Sequence, residues 1–344
     1  LPLVQTYRWE RYERLLREIP GLELVAGRAQ LRSPHEVVVT SPVVPALPGL
    51  QDVPFLTSDL LSSADDPWQT SLRQQPRSLL ILGGGAIALE LGQLFARLGT
   101  RVTVLTRSSQ LLPGVEPELA QTLAELLQAE GPRLRTGVQV QAVVPGSSGV
   151  AVTLQRAGRT ETLEAEQLLV ATGRRPHTEG LGLERAGVAL EVNGAVRVDR
   201  TLRTSVLHIW AAGDVIGTAW GNQFATPVGA ADGKLAAHNA LSGEPPRAVD
   251  HRVIPRCIFT DPPLAIVGLT DAQAQAEGLT CACRVLPLSL VPRAGAIHRR
   301  QGLVKMVIEP NWEGLAIVWP ESTWCGPRQS RHQRLLSLQK HYKK

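Results

Sequence analysis

The 344 residues predict an α/β fold, a parallel sheet covered by helices. Three observations predict it. From Ser78 onward, apolar runs of strand length alternate with amphipathic stretches of helical period. A run of three glycines, Gly83-Gly84-Gly85, joins the first of these strands to the first helix. Gly99 then closes that helix where a left-handed cap is usual, and the next strand begins at once. A strand–helix–strand order with this crossover length requires parallel strands.

Taken in chain order, residues 8–19 have helical period and stop at Pro20-Gly21, and short strands follow at 22–25 and 36–40. Residues 41–49 hold three prolines and a glycine, which oppose regular structure, so this stretch is read as an extended linker. A helix-like piece around 58–63 leads to Pro76. The continuous apolar run 79–82 reads as a buried strand, 86–98 as a helix, 101–106 as the next strand and about 116–130 as a second amphipathic helix. Strands follow near 138–143, 150–154 and 167–171. A further unit over 179–243 holds a strand at 208–211 and a helix from about 228 to 241. Strand-like segments from 256 to 309 suggest a third, β-rich piece. After Pro310 the periodicity weakens, with Trp312, Trp319 and Trp324 set among breakers.

The formal charge of +5 suggests nucleic-acid binding, but its distribution argues otherwise. Residues 322–344 carry six Lys or Arg and no acid, and without them the chain holds 30 bases against 31 acids. The basicity belongs to the tail. No apolar run approaches the roughly eighteen residues of a membrane span, and the first eighteen residues show no secretory signal. Four cysteines, Cys257, Cys281, Cys283 and Cys325, are too few and irregular for a disulfide scaffold. Cys281 and Cys283 would share a face of a strand, which is poor geometry for a bridge. No metal site is expected, and the setting is expected to be cytoplasmic.

Gly83-Gly84-Gly85-Ala86-Ile87-Ala88 fits G-x-G-x-x-G/A between a strand and a helix, the context that gives the pattern meaning. Gly83 allows the tight turn, Gly85 lets a pyrophosphate approach the backbone, and Ala88 keeps the helix near the sheet. The helix N-terminus supplies unpaired N–H groups and a positive dipole end. The second strand ends Val104-Leu105-Thr106-Arg107, without the acid that would accept from a ribose 2′-hydroxyl. Arg107 is placed to pair with a 2′-phosphate, so NADPH is favoured over NADH.

Further segments carry a resemblance. Gly83 to Glu90 resembles the nicotinamide-binding motif of the class I flavoprotein disulfide reductases, the pyridine nucleotide-disulfide oxidoreductase family. Ala171-Thr172-Gly173-Arg174-Arg175-Pro176-His177-Thr178 resembles the segment by which that family's NAD(P) domain returns to its FAD domain, with His177 in place of Asn. Thr204, Ile209 and Trp210-Ala211-Ala212-Gly213-Asp214 resemble its second FAD motif, and Ile254-Pro255, Phe259-Thr260-Asp261-Pro262 and Val267-Gly268 the opening of its dimerisation domain. Val291-Pro292-Arg293-Ala294 with Gly302-Leu303-Val304-Lys305 is most similar to the mercuric reductase branch, with dihydrolipoamide dehydrogenase and glutathione reductase as near alternatives.

The resemblance implies a Rossmann-like NAD(P)-binding domain (76–175) inserted in a partial FAD-binding domain (1–75 and 176–250). A truncated α+β dimerisation domain (251–310) and an atypical basic tail (311–344) follow. It implies a route from NADPH through flavin and a disulfide to Hg(II). Glu90 would position the nicotinamide and flavin rings, and Gly173, Gly213 and Asp214 would belong to the cofactor sites, Asp214 at the flavin's ribityl chain. Three departures bear on activity: no opening FAD fingerprint precedes Ser78, no two cysteines show C-x4-C spacing, and the segment after Pro310 departs from the family's C-terminal half. The strand and linker at Val39-Thr40-Ser41-Pro42 also lack the family's glycine turn. Turnover is therefore expected to be impaired, and FAD retention and the family's homodimer to be compromised. The alternative is a non-catalytic module that binds nucleotide and dimerises.

Overall fold

The computed structural model describes residues 40–58, 74–221, 223–251, 254–308 and 315–317. The expected elements at 8–19 and 22–25, nearly all of those at 36–40 and 58–63, and almost all of the tail lie outside these residues. Among them, one compact unit is Arg175–Val249, and the other runs from Pro42 to Arg174 and resumes at Asp250.

The chain opens on β1 (Thr40–Pro42) and reaches β2 (Leu56–Thr57). The regular alternation follows: β3 (Ser78–Leu82), α1 (Ala86–Arg97), β4 (Arg101–Leu105), α2 (Pro117–Ala129) and β5 (Arg133–Arg135). Three further strands, β6 (Gln139–Gly146), β7 (Gly149–Arg156) and β8 (Arg159–Ala165), precede β9 (Gln167–Val170) and β10 (Arg174–Pro176). The main sheet has the order β2-β9-β3-β4-β5, and every pairing is parallel. Leu82 pairs with Leu105 on one side and with Val170 on the other, so β3, β4 and β9 end level. The chain order reverses across β3, and at such a switch point a crevice opens beyond the strand ends.

Burial explains the continuous apolar run of β3. Leu79 and Ile81 face the cluster of Ala88, Phe95, Val102 and Val104 beneath α1. Leu80 and Leu82 join the opposite cluster with Val143, Val152 and Leu154. A parallel strand covered on both faces needs apolar residues at every position.

The strands expected at 138–143 and 150–154 do not join the parallel sheet. They form an antiparallel meander, β6-β7-β8, with a register shift between Val140 and Ala142. Its third strand was not expected, because Thr160-Glu161-Thr162-Leu163-Glu164 offers mostly polar side chains. The meander covers the sheet through Val150, Val152 and Leu154.

From residue 254 the same unit continues with β11 (Arg256–Ile258), β12 (Leu264–Ile266), β13 (Ala282–Pro287), β14 (Leu303–Ile308) and β15 (Leu315–Ile317), paired antiparallel as β11-β12 and β13-β14-β15. Ile258, Leu264 and Ile266 pack on Leu119, Leu123 and Leu127 of α2. A helix over Asp271–Ala276 starts with a capping box in which Thr270 and Gln273 satisfy each other's backbone N–H.

The unit Arg175–Val249 contains α3 (Thr226–Leu241) and a 3-10 turn, Gly213–Ile216. The strand expected at 208–211 is reduced to a single bridge, Arg203 with Trp210. The buried Asn239 closes the end of α3 by donating to Thr201 O and Arg247 O and accepting from Arg247 N. No helix among the described residues is long and apolar enough to cross a membrane, and no cluster of three or more His, Cys, Asp or Glu there could hold a metal.

Candidate dinucleotide site

Residues 83–88 occupy the switch point, and each glycine there meets a different constraint. Gly83 has φ 130°, and its N–H donates to Leu105 O at 2.8 Å. A Cβ on Gly83 would stand 2.1 Å from Ala171 O, so both conformation and space demand glycine. Gly84 lies on Thr106, where a Cβ would come within 2.7 Å of the hydroxyl oxygen. Gly85 is different. It caps α1 in extended conformation, and a Cβ built there meets nothing within 4 Å.

The third glycine therefore borders open space at the mouth of α1. The cap offers no side-chain acceptor, and the first bond into the helix is Leu89 N to Gly85 O at 3.2 Å. The N–H groups preceding Leu89 are the orphan donors of a helix start, aimed with the positive dipole end. A diphosphate fits that chemistry. Ala88 is wholly buried in the cluster between α1 and the sheet.

Arg107 lies two residues past the end of β4, is exposed, and makes no ion pair with a described residue. The loop that carries it is anchored at both sides: Thr106 N donates to Arg135 O, Val138 N to Thr106 O and Gly137 N to Ser108 O. Gly173 has φ 146°, and its carbonyl accepts from Val43 N at 3.0 Å, while Thr172 Oγ1 donates to Val43 O at 2.6 Å. Gly83, Gly84, Gly85, Ala88 and Arg107 thus converge on the ends of β3 and β4, with Gly173 two residues beyond Ala171.

Glu90 lies further along α1. Its Oε1 accepts from Phe259 N at 2.8 Å, and burial pushes its carboxyl above the ordinary range despite that bond. Further along α1, Gln93 accepts from Asp261 N and donates to Asp261 O, both at 2.8 Å. Arg97 pairs with Glu130 and Asp261. The spacing 90, 93, 97 is one helix face, docked on the loop after β11.

In the unit Arg175–Val249, Gly213 is buried with φ 76°, and a Cβ there would lie 3.3 Å from Gly229 Cα of α3. That close approach sets the Gly213–Asp214 turn beside the first turns of α3, leaving Asp214 half-buried.

Leu112 and Thr106 were not singled out in the sequence. Leu112 has φ 51°, is buried, and donates its N–H to Gly84 O at 2.7 Å. The dipeptide Pro113-Gly114 signals a turn at this point but says nothing about its partner.

The five parallel strands, their switch point and the glycine turn define a Rossmann-type dinucleotide-binding unit. A family model described as pyridine nucleotide-disulphide oxidoreductase matches residues 35–240, and one for that family's dimerisation domain matches residues 254–316. The chain belongs to the pyridine nucleotide-disulphide oxidoreductase family. It is 38% identical to a mercuric reductase from Staphylococcus aureus over 91% of this chain and 57% of that protein. With a mercuric reductase from Streptomyces lividans it shares 41% identity over 84% and 59%. The structure matches the HOCl-induced flavoprotein disulfide reductase RclA from Escherichia coli with a TM-score of 0.70 and 29% identity, covering 88% of this chain and 64% of that one. The chain spans less than two thirds of the length of these proteins.

Proposed function

We propose that the chain binds NADPH, as the nucleotide-binding part of an FAD-dependent oxidoreductase of mercuric reductase type. The single observation that carries this reading is the open space at Gly85, at a helix mouth whose N–H groups have no side-chain cap. The guanidinium of Arg107, without an ion pair among the described residues, supports the 2′-phosphorylated nucleotide over its parent. In this reading residues 76–175 are the NADP(H) domain, 176–250 belong to the FAD domain and 251–310 to the dimerisation domain.

Gly83 and Gly84 shape the turn, and the N–H groups following Gly85 hold the diphosphate. Ala88 keeps α1 low on the sheet, Arg107 holds the 2′-phosphate, and Glu90 positions the nicotinamide end. Gly173 sets the return crossing. Gly213 and Asp214 take the flavin side, with Asp214 as acceptor for a ribityl hydroxyl. A nicotinamide held by these residues would supply hydride chemistry, and a flavin held by Gly213 and Asp214 would supply the electron acceptor. The setting is cytoplasmic; the family's partner is a second copy of the chain, and that pairing is expected to be compromised here.

Titration of the purified protein with NADPH and NADH, in parallel with Arg107→Ala, tests the proposal. Tighter binding of NADPH is expected, with the preference lost in Arg107→Ala. Equal affinity of the unaltered protein for both nucleotides would overturn it.

A second reading is a module that binds nucleotide and dimerises without turnover; within the residues given, no two of Cys257, Cys281, Cys283 and Cys325 have C-x4-C spacing. Visible flavin absorbance in the purified protein separates the two: its presence supports the oxidoreductase, and its absence, with dimers retained, supports the module.

A further inference from the structure

Gly84 is held from two sides by one connection. Below it lies Thr106, with Oγ1 and Cβ at 2.7 and 2.8 Å from where a Cβ of Gly84 would stand. From the other side Leu112 N–H reaches Gly84 O at 2.7 Å. Arg107 lies on the stretch between these two grips.

Leu112 makes its bond from a left-handed backbone, which a leucine rarely adopts. Strain of this kind persists only where the surroundings enforce it. Here the side chain does so, buried in the cluster of Leu111, Val115, Leu119 and Leu123. The turn is closed behind it by Val115 N to Leu112 O and by Gln110 Nε2 to Val115 O. Glu116, next in sequence, is locked by Lys305 and Asp271 N. The loop is one braced piece, fixed at its far end and touching the glycine turn at its centre.

We propose that Leu112 is a specificity-determining positioning residue, whose left-handed N–H fastens the Arg107 loop to Gly84 and so couples the grip on a 2′-phosphate to the grip on the diphosphate. The proposal rests on the NADPH reading above. A nucleotide with the 2′-phosphate pulls on Arg107 and steadies the turn through Leu112; one without it leaves the turn to its own stiffness. Part of the discrimination between the two nucleotides therefore resides in the loop and not in the charge of Arg107.

The test is the ratio of NADH to NADPH dissociation constants, measured by calorimetry on the full chain. Leu112→Ala removes the apolar anchor but keeps the penalty for a left-handed backbone, so the loop relaxes off Gly84. The ratio is expected to fall about five- to tenfold. Leu112→Gly also loses the anchor but tolerates the conformation, and is expected to keep a larger share of the ratio than alanine does. A merely structural role would weaken both nucleotides alike and leave the ratio where it was; that result overturns the proposal. Should Leu112→Ala fail to fold, Thr106→Ser, which only thins the support beneath Gly84, carries the test. It is expected to move the ratio in the same direction by a smaller factor, and an unchanged ratio refutes the coupling. Failure of the NADPH reading looks different, since the unaltered protein would then show no ratio above one to lose.

Discussion

Lys305 Nζ lies 2.8 Å from Glu116 Oε2, and both side chains are about 95% buried. The ammonium also donates to Glu118, at 3.0 and 3.1 Å. Glu116 Oε1 accepts from Asp271 N, so that carboxylate is satisfied at both oxygens. The pair ties the mouth of α2 to β14 across 189 positions of sequence.

Breaking this pair from one side leaves a buried charge without its partner. Lys305→Met is expected to lower stability by about 3–5 kcal/mol, measured by denaturant unfolding. Adding Glu116→Leu to that variant should recover much of the loss, because the stranded carboxylate is then gone. Equal stability of the single variant and the unaltered protein would contradict the assignment.

The same pair sets a limit at high pH. Burial pulls the Lys305 ammonium down, but the hydrogen bonds to Glu116 and Glu118 outweigh it and hold its pKa at about 12, above its ordinary 10.5. A base raised by folding contributes stability that is complete below 10.5 and disappears as pH rises through about 12. Unfolding followed between pH 9 and 12 should show this loss, and Lys305→Met should lack it.

The glycine turn separates folding from binding. Gly85→Val keeps an extended conformation open to any residue, and its Cβ meets nothing within 4 Å, so it is expected to fold with a loss of at most about 1 kcal/mol from poorer capping. It should nevertheless lose NADPH binding, because the branched side chain fills the space a diphosphate needs. Gly83→Ala does the opposite, driving a methyl against Ala171 O and costing about 2 kcal/mol or more in stability. Calorimetry and thermal unfolding on both variants decide the matter; undiminished NADPH affinity in Gly85→Val is the adverse result.

Two polar residues of α1 should differ sharply when removed. Gln93 is buried and pairs with both backbone groups of Asp261. Gln93→Leu leaves Asp261 N without its acceptor and Asp261 O with only the longer bond from Arg97 at 3.3 Å, and is expected to cost about 2–3 kcal/mol. Arg97 forms more ion pairs, but they are partly exposed, so Arg97→Ala should cost about 1 kcal/mol or less. A reversed order in urea unfolding would sink this account of how α1 docks on the loop at 259–261.

Glu90 provides a sign test. An acid whose pKa is raised in the folded protein favours the protonated form, so its contribution is full below 4.5 and is lost as pH rises through the folded value. Glu90→Gln keeps an acceptor for Phe259 N and removes the buried charge. It should be at least as stable as the unaltered protein at pH 7, with a thermal midpoint that varies less between pH 4 and pH 8. A clear loss of stability at pH 7 would show that the charge itself is needed.

The sheet strands that carry the site were legible because a parallel strand buried on both faces is apolar at every position, as Leu79-Leu80-Ile81-Leu82 is. The glycine turn was legible for a related reason: its sequence answers to local backbone geometry. β8 was not, since Thr160, Thr162 and Glu164 form its outer face, Glu161 interrupts the inner one, and only the meander gives it partners. The bonds from Glu90 to Phe259 and from Lys305 to Glu116 join residues 169 and 189 positions apart, and no spacing rule reaches that far. Leu112 was not legible, because nothing in a leucine announces a left-handed backbone.

The cluster beneath α2 has a temporal side. Leu119, Leu123 and Leu127 are covered by Ile258, Leu264 and Ile266, which leave the ribosome about 140 residues later. At a synthesis rate of about 5–20 residues per second, that greasy face waits on the order of ten seconds for its lid. A nascent chain halted inside that interval should be the one that chaperones seize.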